Sequence, residues 1–151
     1  MYYKIDLNNY KPKEVLEYHT YNDFVFSVDV LGRLEEELDN FKDSFGKPWK
    51  EWDIPELKHR LENNYTFYLI STDEEIKGWA FTDWNKKYPY LCNRYVVPEY
   101  RKRGLGSELV WLRCNEVVKL GYKSASIKLE NWNTPALSVK KENIFIEIKE
   151  I

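Results

Sequence analysis

Cysteine is scarce in this chain, and the devices that depend on it are excluded with it. Its 2 cysteines, Cys92 and Cys114, have neither metal-ligand spacing nor a neighbouring histidine, so neither a metal site nor a disulfide framework is expected. They fall in stretches that read as a strand and a helix, which implies buried thiols in a reducing compartment. Long apolar runs are missing too. Nothing approaches the ~20 residues that cross a membrane, and Met1 to Asp6 has no apolar leader segment. The expectation is a cytoplasmic protein with no membrane partner. No sign of charge dominates: 23 Lys and Arg against 25 Asp and Glu leave a net charge of −2, which argues against nucleic acid as a partner. There is no internal repeat, low-complexity segment or linker. Residues 1–151 therefore read as one domain, long enough to bury a core.

Aromatic residues are what the chain has in abundance, at 17%, with 12 Tyr and 6 Trp. Such side chains fill cores and line binding sites. Tyr2 to Leu7 alternates as a strand, and Pro12 to Tyr18 suggests a short helix. Val25, Val28, Leu31, Leu34, Leu38 and Phe41 recur at helical spacing across Asp23 to Phe45, with Gly32 as an interruption. Asp53, with Pro55 and Glu56 behind it, reads as an N-cap and capping box. Thr66–Ile70 and Ile76–Thr82 form a hairpin, and Tyr90–Val97 a third strand. A helix to about Leu120 with Gly121 at its C′ position follows, then a strand over Ser124–Leu129, a helix over Pro135–Glu142 and a strand over Ile144–Ile148. A helix of this length between two strands implies a parallel crossover. The fold class is α/β (α+β): a mixed, mostly antiparallel sheet with helices on both faces.

The most informative stretch is Val96-Val97-Pro98-Glu99-Tyr100-Arg101-Lys102-Arg103-Gly104-Leu105-Gly106-Ser107. A strand stops at a proline, turns through a basic loop and opens a helix beside two glycines. Unpaired N–H groups and the positive end of the helix dipole suit a phosphate there. A P-loop requires Lys then Ser or Thr after its last glycine, and Ser107-Glu108 does not supply them. A dinucleotide fingerprint requires a third glycine where Leu109 stands.

Arg101-x-x-Gly104-x-Gly106, preceded by Val96-x-Pro98, resembles the coenzyme-A loop of the GNAT family, the Gcn5-related N-acetyltransferases. Asn133, Ala136, Val139 and Phe145 resemble its second motif, and the order of elements matches over nearly the whole chain. The resemblance implies acetyl-CoA as cosubstrate, no metal, and a small-molecule or peptide amine as acceptor. Backbone groups of Val96 and Val97 would pair with the pantetheine arm. N–H groups of Lys102, Arg103, Gly104, Leu105, Gly106 and Ser107 would hold the pyrophosphate. Asn133 would contact pantetheine beside Ala136, and Arg101 and Lys102 would meet phosphates or form a solvated basic loop.

Direct attack on a thioester needs a neutral amine, a donor for the oxyanion and an acid for the thiolate. The resemblance points to the Val97 N–H as oxyanion donor. Lys140 stands where the family has an acidic tyrosine, and Asp83 is the candidate for a water-mediated base. Arg94 replaces an apolar residue, to bind an acceptor carboxylate or to pair with an acid. Trp49 and Trp52 fall in the variable segment that meets the acceptor. The family's last strand has no counterpart before Ile151, so the sheet would be shorter or completed by a second subunit, as in a homodimer. Two other classes fit the residues: a catalytically weak coenzyme-A-binding module, and a nucleic-acid binder using Arg94 and Arg101 to Arg103. His19 and His59 are isolated and suggest no site.

Overall fold

A computed structural model describes residues 1–37, 52–71, 75–129 and 144–149. The described elements are β1 (Tyr2–Asp6), β2 (His19–Tyr21), α1 (Val28–Glu37), α2 (Ile54–Glu62), β3 (Tyr65–Ser71), β4 (Ile76–Asp83), β5 (Tyr90–Val96), α3 (Leu105–Lys119), β6 (Ser124–Lys128) and β7 (Ile144–Ile148). They build one seven-stranded sheet in the order β2-β3-β4-β5-β6-β1-β7. Neighbours run antiparallel except β5 and β6, which the α3 crossover makes parallel. This is the mixed, mostly antiparallel α/β sheet expected from the order of elements.

Alternation along β3 divides the core. Phe67 and Leu69 turn to one face, where they meet Leu34 of α1, Leu57 and Leu61 of α2, and Trp79 and Phe81 of β4. Tyr68 and Ile70 turn to the other, against Leu105, Leu109 and Leu112 of α3. Period-two side-chain direction makes this division unavoidable in a strand buried on both sides. Each such leucine contributes about 2 kcal/mol by leaving water.

The helix termini follow their local chemistry. The Asp53 side chain caps α2 by accepting from the Glu56 N–H at 2.9 Å. Gly121, at φ 94°, ends α3 in the left-handed conformation expected of a C′ glycine.

Three expectations are corrected. Gly32 does not interrupt α1, which is continuous through it. The helix expected over Pro12 to Tyr18 is absent, and the segment is an extended strap across α3. Asn115 fixes it by accepting from the Lys13 N–H at 3.0 Å and donating to the Lys13 carbonyl at 2.7 Å. Glu108 accepts from the Leu16 N–H at 3.1 Å. Side-chain partners across the fold thus take the backbone groups that a local helix would have paired. The third correction concerns the missing last strand. The N-terminal strand β1 lies between β6 and β7, with Tyr2 opposite both Lys128 and Ile148. Tyr3, Ile5 and Leu7 anchor it against Trp111, Cys114 and Val117. The seven strands of the sheet are thus all drawn from this chain. The helix expected over 135–142 lies outside the described residues.

Candidate functional site

β5 and β6 pair at Tyr90↔Ser126 and Leu91↔Ile127 and then part. Beyond that point β5 continues along β4 to Val96, and among the described residues no strand pairs with its other edge, a gap between β5 and β6. The Val97 N–H donates to the Lys77 carbonyl at 2.9 Å. Antiparallel ladders alternate bonded and non-bonded pairs, so Val96, opposite Gly78, turns its N–H and carbonyl away from β4 and into the gap.

The chain then makes a short 3₁₀ turn at Pro98–Tyr100 and reaches α3 through Gly104, at φ 84° and ψ 1°. No side chain caps this helix. Its first intrahelical bond runs from the Glu108 N–H to the Gly104 carbonyl at 3.0 Å. The N–H groups of Leu105, Gly106 and Ser107 therefore have no partner within the helix and face its N-terminal end. An anion placed there meets three donors and the positive end of the dipole. Arg101 folds back, its Nε donating to the Val96 carbonyl at 2.9 Å and its guanidinium over the Tyr95 ring. Lys102 and Arg103 are exposed on the loop.

Where the gap opens, β5 bulges. Trp79 faces Tyr95 and Phe81 faces Cys92, so Asn93 and Arg94 together oppose Ala80. Asn93 takes φ 49°, and its Oδ1 accepts from Arg60 Nη1 at 2.8 Å; Arg60 also binds Glu56 at 3.1 Å. Behind the bulge lies Arg113 of α3, 1% exposed. Its guanidinium donates to the carbonyls of Phe81 at 3.0 Å, Cys92 at 3.2 Å and Leu109 at 2.7 Å. A bulge disrupts the ladder, and Arg113 satisfies carbonyls on both strands there. Arg94 Nη1 donates to the Gly106 carbonyl at 3.1 Å. Burial, with the Arg113 charge adding to it, pulls Arg94 down to about 10.

The residues singled out from sequence divide between this site and other places. Val96, Arg94 and Arg101 to Ser107 come together around the gap and the start of α3. Val97 joins them, with its N–H donating to the Lys77 carbonyl in the β4 ladder. Asp83 is 4% exposed and ends β4 opposite Tyr90. At about 3.3 Å per residue it lies roughly 17 Å along β4 from Gly78, the partner of Val96. Its Oδ1 accepts from the Asn85 N–H and Nδ2, which holds the turn after β4. Trp52 is 6% exposed and packs edge-on against Phe67, Trp79 and Phe81, a core residue and not an acceptor wall. Trp49, Asn133, Ala136 and Lys140 lie outside the described residues. Among the described residues no three His, Cys, Asp or Glu side chains gather as a metal site, and no helix is long and apolar enough to cross a membrane.

Two residues that shape the site are not apparent in the sequence. Arg113 reads as solvent-facing charge, although its place four residues after Leu109 puts it on the apolar stripe. Asn93, a turn former inside an aromatic and β-branched run, is the only local signal of the bulge.

The chain matches the family model described as the acetyltransferase (GNAT) family over residues 34–141. No curated protein matches it in sequence. Among solved structures it is similar to the ribosomal-protein-S18-alanine N-acetyltransferase of Escherichia coli, at 19% identity and TM-score 0.57, covering 83% of this chain and 76% of that one. A GNAT family acetyltransferase from Elizabethkingia anophelis with acetyl-CoA bound gives 19% identity and TM-score 0.56, covering 86% and 75%. A Drosophila protein gives 15% identity and TM-score 0.59; 97% of this chain is covered, but it spans 47% of that chain, about half its length. The mixed sheet, the parting of β5 from β6 and the uncapped start of α3 thus occur in a chain that belongs to the acetyltransferase (GNAT) family.

Proposed function

We propose that the chain is an N-acetyltransferase that moves an acetyl group from acetyl-CoA to a primary amine by direct attack. The observation that carries this reading is the Val96 backbone turned into the β5–β6 gap, ending at the uncapped first turn of α3. The N–H groups of Leu105, Gly106 and Ser107 hold the pyrophosphate, each as a charge-assisted bond worth about 1.5–3 kcal/mol. Val96 offers its N–H to the pantetheine arm, while its carbonyl already accepts from Arg101 Nε. By the family resemblance, Asn133 and Ala136 also serve the pantetheine arm, and Lys140 supplies the proton to the departing thiolate. Bound acetyl-CoA contributes an activated thioester. The acceptor must arrive neutral or lose its proton to water, because Asp83 is held at the far end of β4.

The acceptor class is a small-molecule or peptide amine. The E. coli structural neighbour is named for an alanine of ribosomal protein S18, so a peptide N-terminus belongs on the test panel beside small amines. The placement of Asp83 and the engaged Val97 N–H favour a second reading, a coenzyme-A-binding module of weak activity. Calorimetric titration with CoA and thioester turnover against the panel separate the two. Binding with amine-dependent release of CoA is expected. Binding without turnover against any amine would support the module, and no binding would end both readings.

A further inference from the structure

Arg94 carries a charge that no acid answers among the described residues. It sits in the bulge, two residues before Val96 on the strand edge that opens onto the gap. Its guanidinium reaches α3, with Cζ 3.6 Å from where a Cβ on Gly106 would stand. Its hydrogen bond is to the Gly106 carbonyl, and no acid pairs with it among the described residues. A guanidinium has five N–H donors, so most of its donor capacity is unspent. The neighbouring buried cation, Arg113, is spent on three carbonyls and offers no compensation.

The direction of Arg94 distinguishes it from the phosphate cradle. Helix carbonyls point toward the C-terminus and unpaired N–H groups toward the N-terminus. A group bonded to the Gly106 carbonyl therefore lies on the opposite side of the first turn from the donors that suit a pyrophosphate. The half-buried Arg94 guanidinium lies against the first turn of α3, two residues along β5 from the Val96 edge that would hold the pantetheine arm.

We infer that Arg94 receives a carboxylate carried by one of the two substrates, either at the end of the acyl chain of the donor or on the amine acceptor. This rests on the proposed function and deepens it. It makes the substrate class acidic, where the fold alone would admit any amine and any short acyl group.

The test uses two matched pairs: succinyl-CoA against acetyl-CoA, and an α-amino acid against its amide. Wild-type protein is expected to prefer the carboxylate-bearing member of one pair by about ten- to a hundredfold in kcat/KM, the range of a charge-assisted bond. The pair that shows it names the source of the carboxylate. Arg94→Met should bring that ratio to about one, and Arg94→Lys should restore part of it, which lost packing alone would not do. Equal handling of both members of both pairs by the wild type would overturn the inference, whatever the folding of the variants. So would an Arg94→Met ratio equal to that of the wild type. CoA titration of the wild type separates the two levels. If CoA binds without a carboxylate preference, this inference alone fails; if CoA does not bind, the proposed function fails.

Discussion

Arg113 Nη1 lies 3.2 Å from the carbonyl oxygen of Cys92, and the same nitrogen lies 3.0 Å from that of Phe81. One side chain of α3 thus closes the β4–β5 ladder where the bulge opens it. Arg113→Ala would orphan buried carbonyls and leave a cavity. It should lower stability by about 3 kcal/mol, or roughly 6–12 °C in melting temperature for a domain of this size. Thermal melts check this. Arg113→Lys, with fewer and less directed donors, should recover only part of the loss.

Gly104 and Gly106 are expected to tolerate substitution differently. At φ 84° Gly104 occupies left-handed space, where alanine costs about 1–2 kcal/mol. A methyl on Gly106 would meet the Arg94 guanidinium at 3.6 Å, an ordinary contact. Gly106→Ala should therefore melt within about 0.5 kcal/mol of wild type, and Gly104→Ala clearly below it. Gly104→Asp or Gly106→Asp puts a carboxylate beside the cradle and should remove CoA binding, measured by titration. Retention of binding by both would refute the cradle.

Asp53→Ala should cost about 1 kcal/mol by uncapping α2. Because Leu57 and Leu61 of that helix pack under the bulged strands, denaturant melts should show the loss across the whole domain, not in one helix.

Much of this was legible in the sequence because the signals were local. The Asp53 cap, the Gly121 terminus, the hairpin and the glycine loop each rest on residues a few positions apart. What was not legible depends on contacts made across the fold. Asn115 holds Lys13 in an extended strap where the sequence suggests a helix. The place of β1 between β6 and β7 is set by Tyr3, Ile5 and Leu7 against α3. Asp83 ends its strand as expected, but its Oδ1 is committed to the turn at Asn85, a bond no spacing announces. Trp52 reads as a pocket wall by its neighbours in sequence and is core by its neighbours in space. The loop motif marks the place proposed for the donor; the proton chemistry has no comparable local signature.

Asp83 should therefore behave as a structural residue. Asp83→Asn keeps the Oδ1 acceptor for Asn85, so the pH profile of kcat should match the wild type. A shifted or lost acidic limb in Asp83→Asn would restore it as the base.

Burial pushes both thiols up to about 12, Cys92 in β5 and Cys114 in α3. In the unfolded chain a thiol ionises near pH 8.5–9. Between that pH and about 12 the unfolded state has lost protons that the native state retains. Stability contributed by each thiol is thus full below pH 8.5 and falls as pH rises, by at most about 1.4 kcal/mol per pH unit. Denaturant melts from pH 8 to 11 should show this decline, and Cys92→Ala with Cys114→Ala should flatten it. A thiol reagent at pH 8 should label the native protein far more slowly than the unfolded one.

The most direct test of the account follows backbone amides by NMR as CoA is titrated into the protein. Saturable shifts are predicted at Val96 and at Leu105, Gly106 and Ser107, where N–H groups face the gap or the open end of α3. The Val97 amide, donating to Lys77, should move less than Val96. Binding that perturbs other surfaces and leaves these four amides in place, or an absence of saturable shifts, would contradict the account.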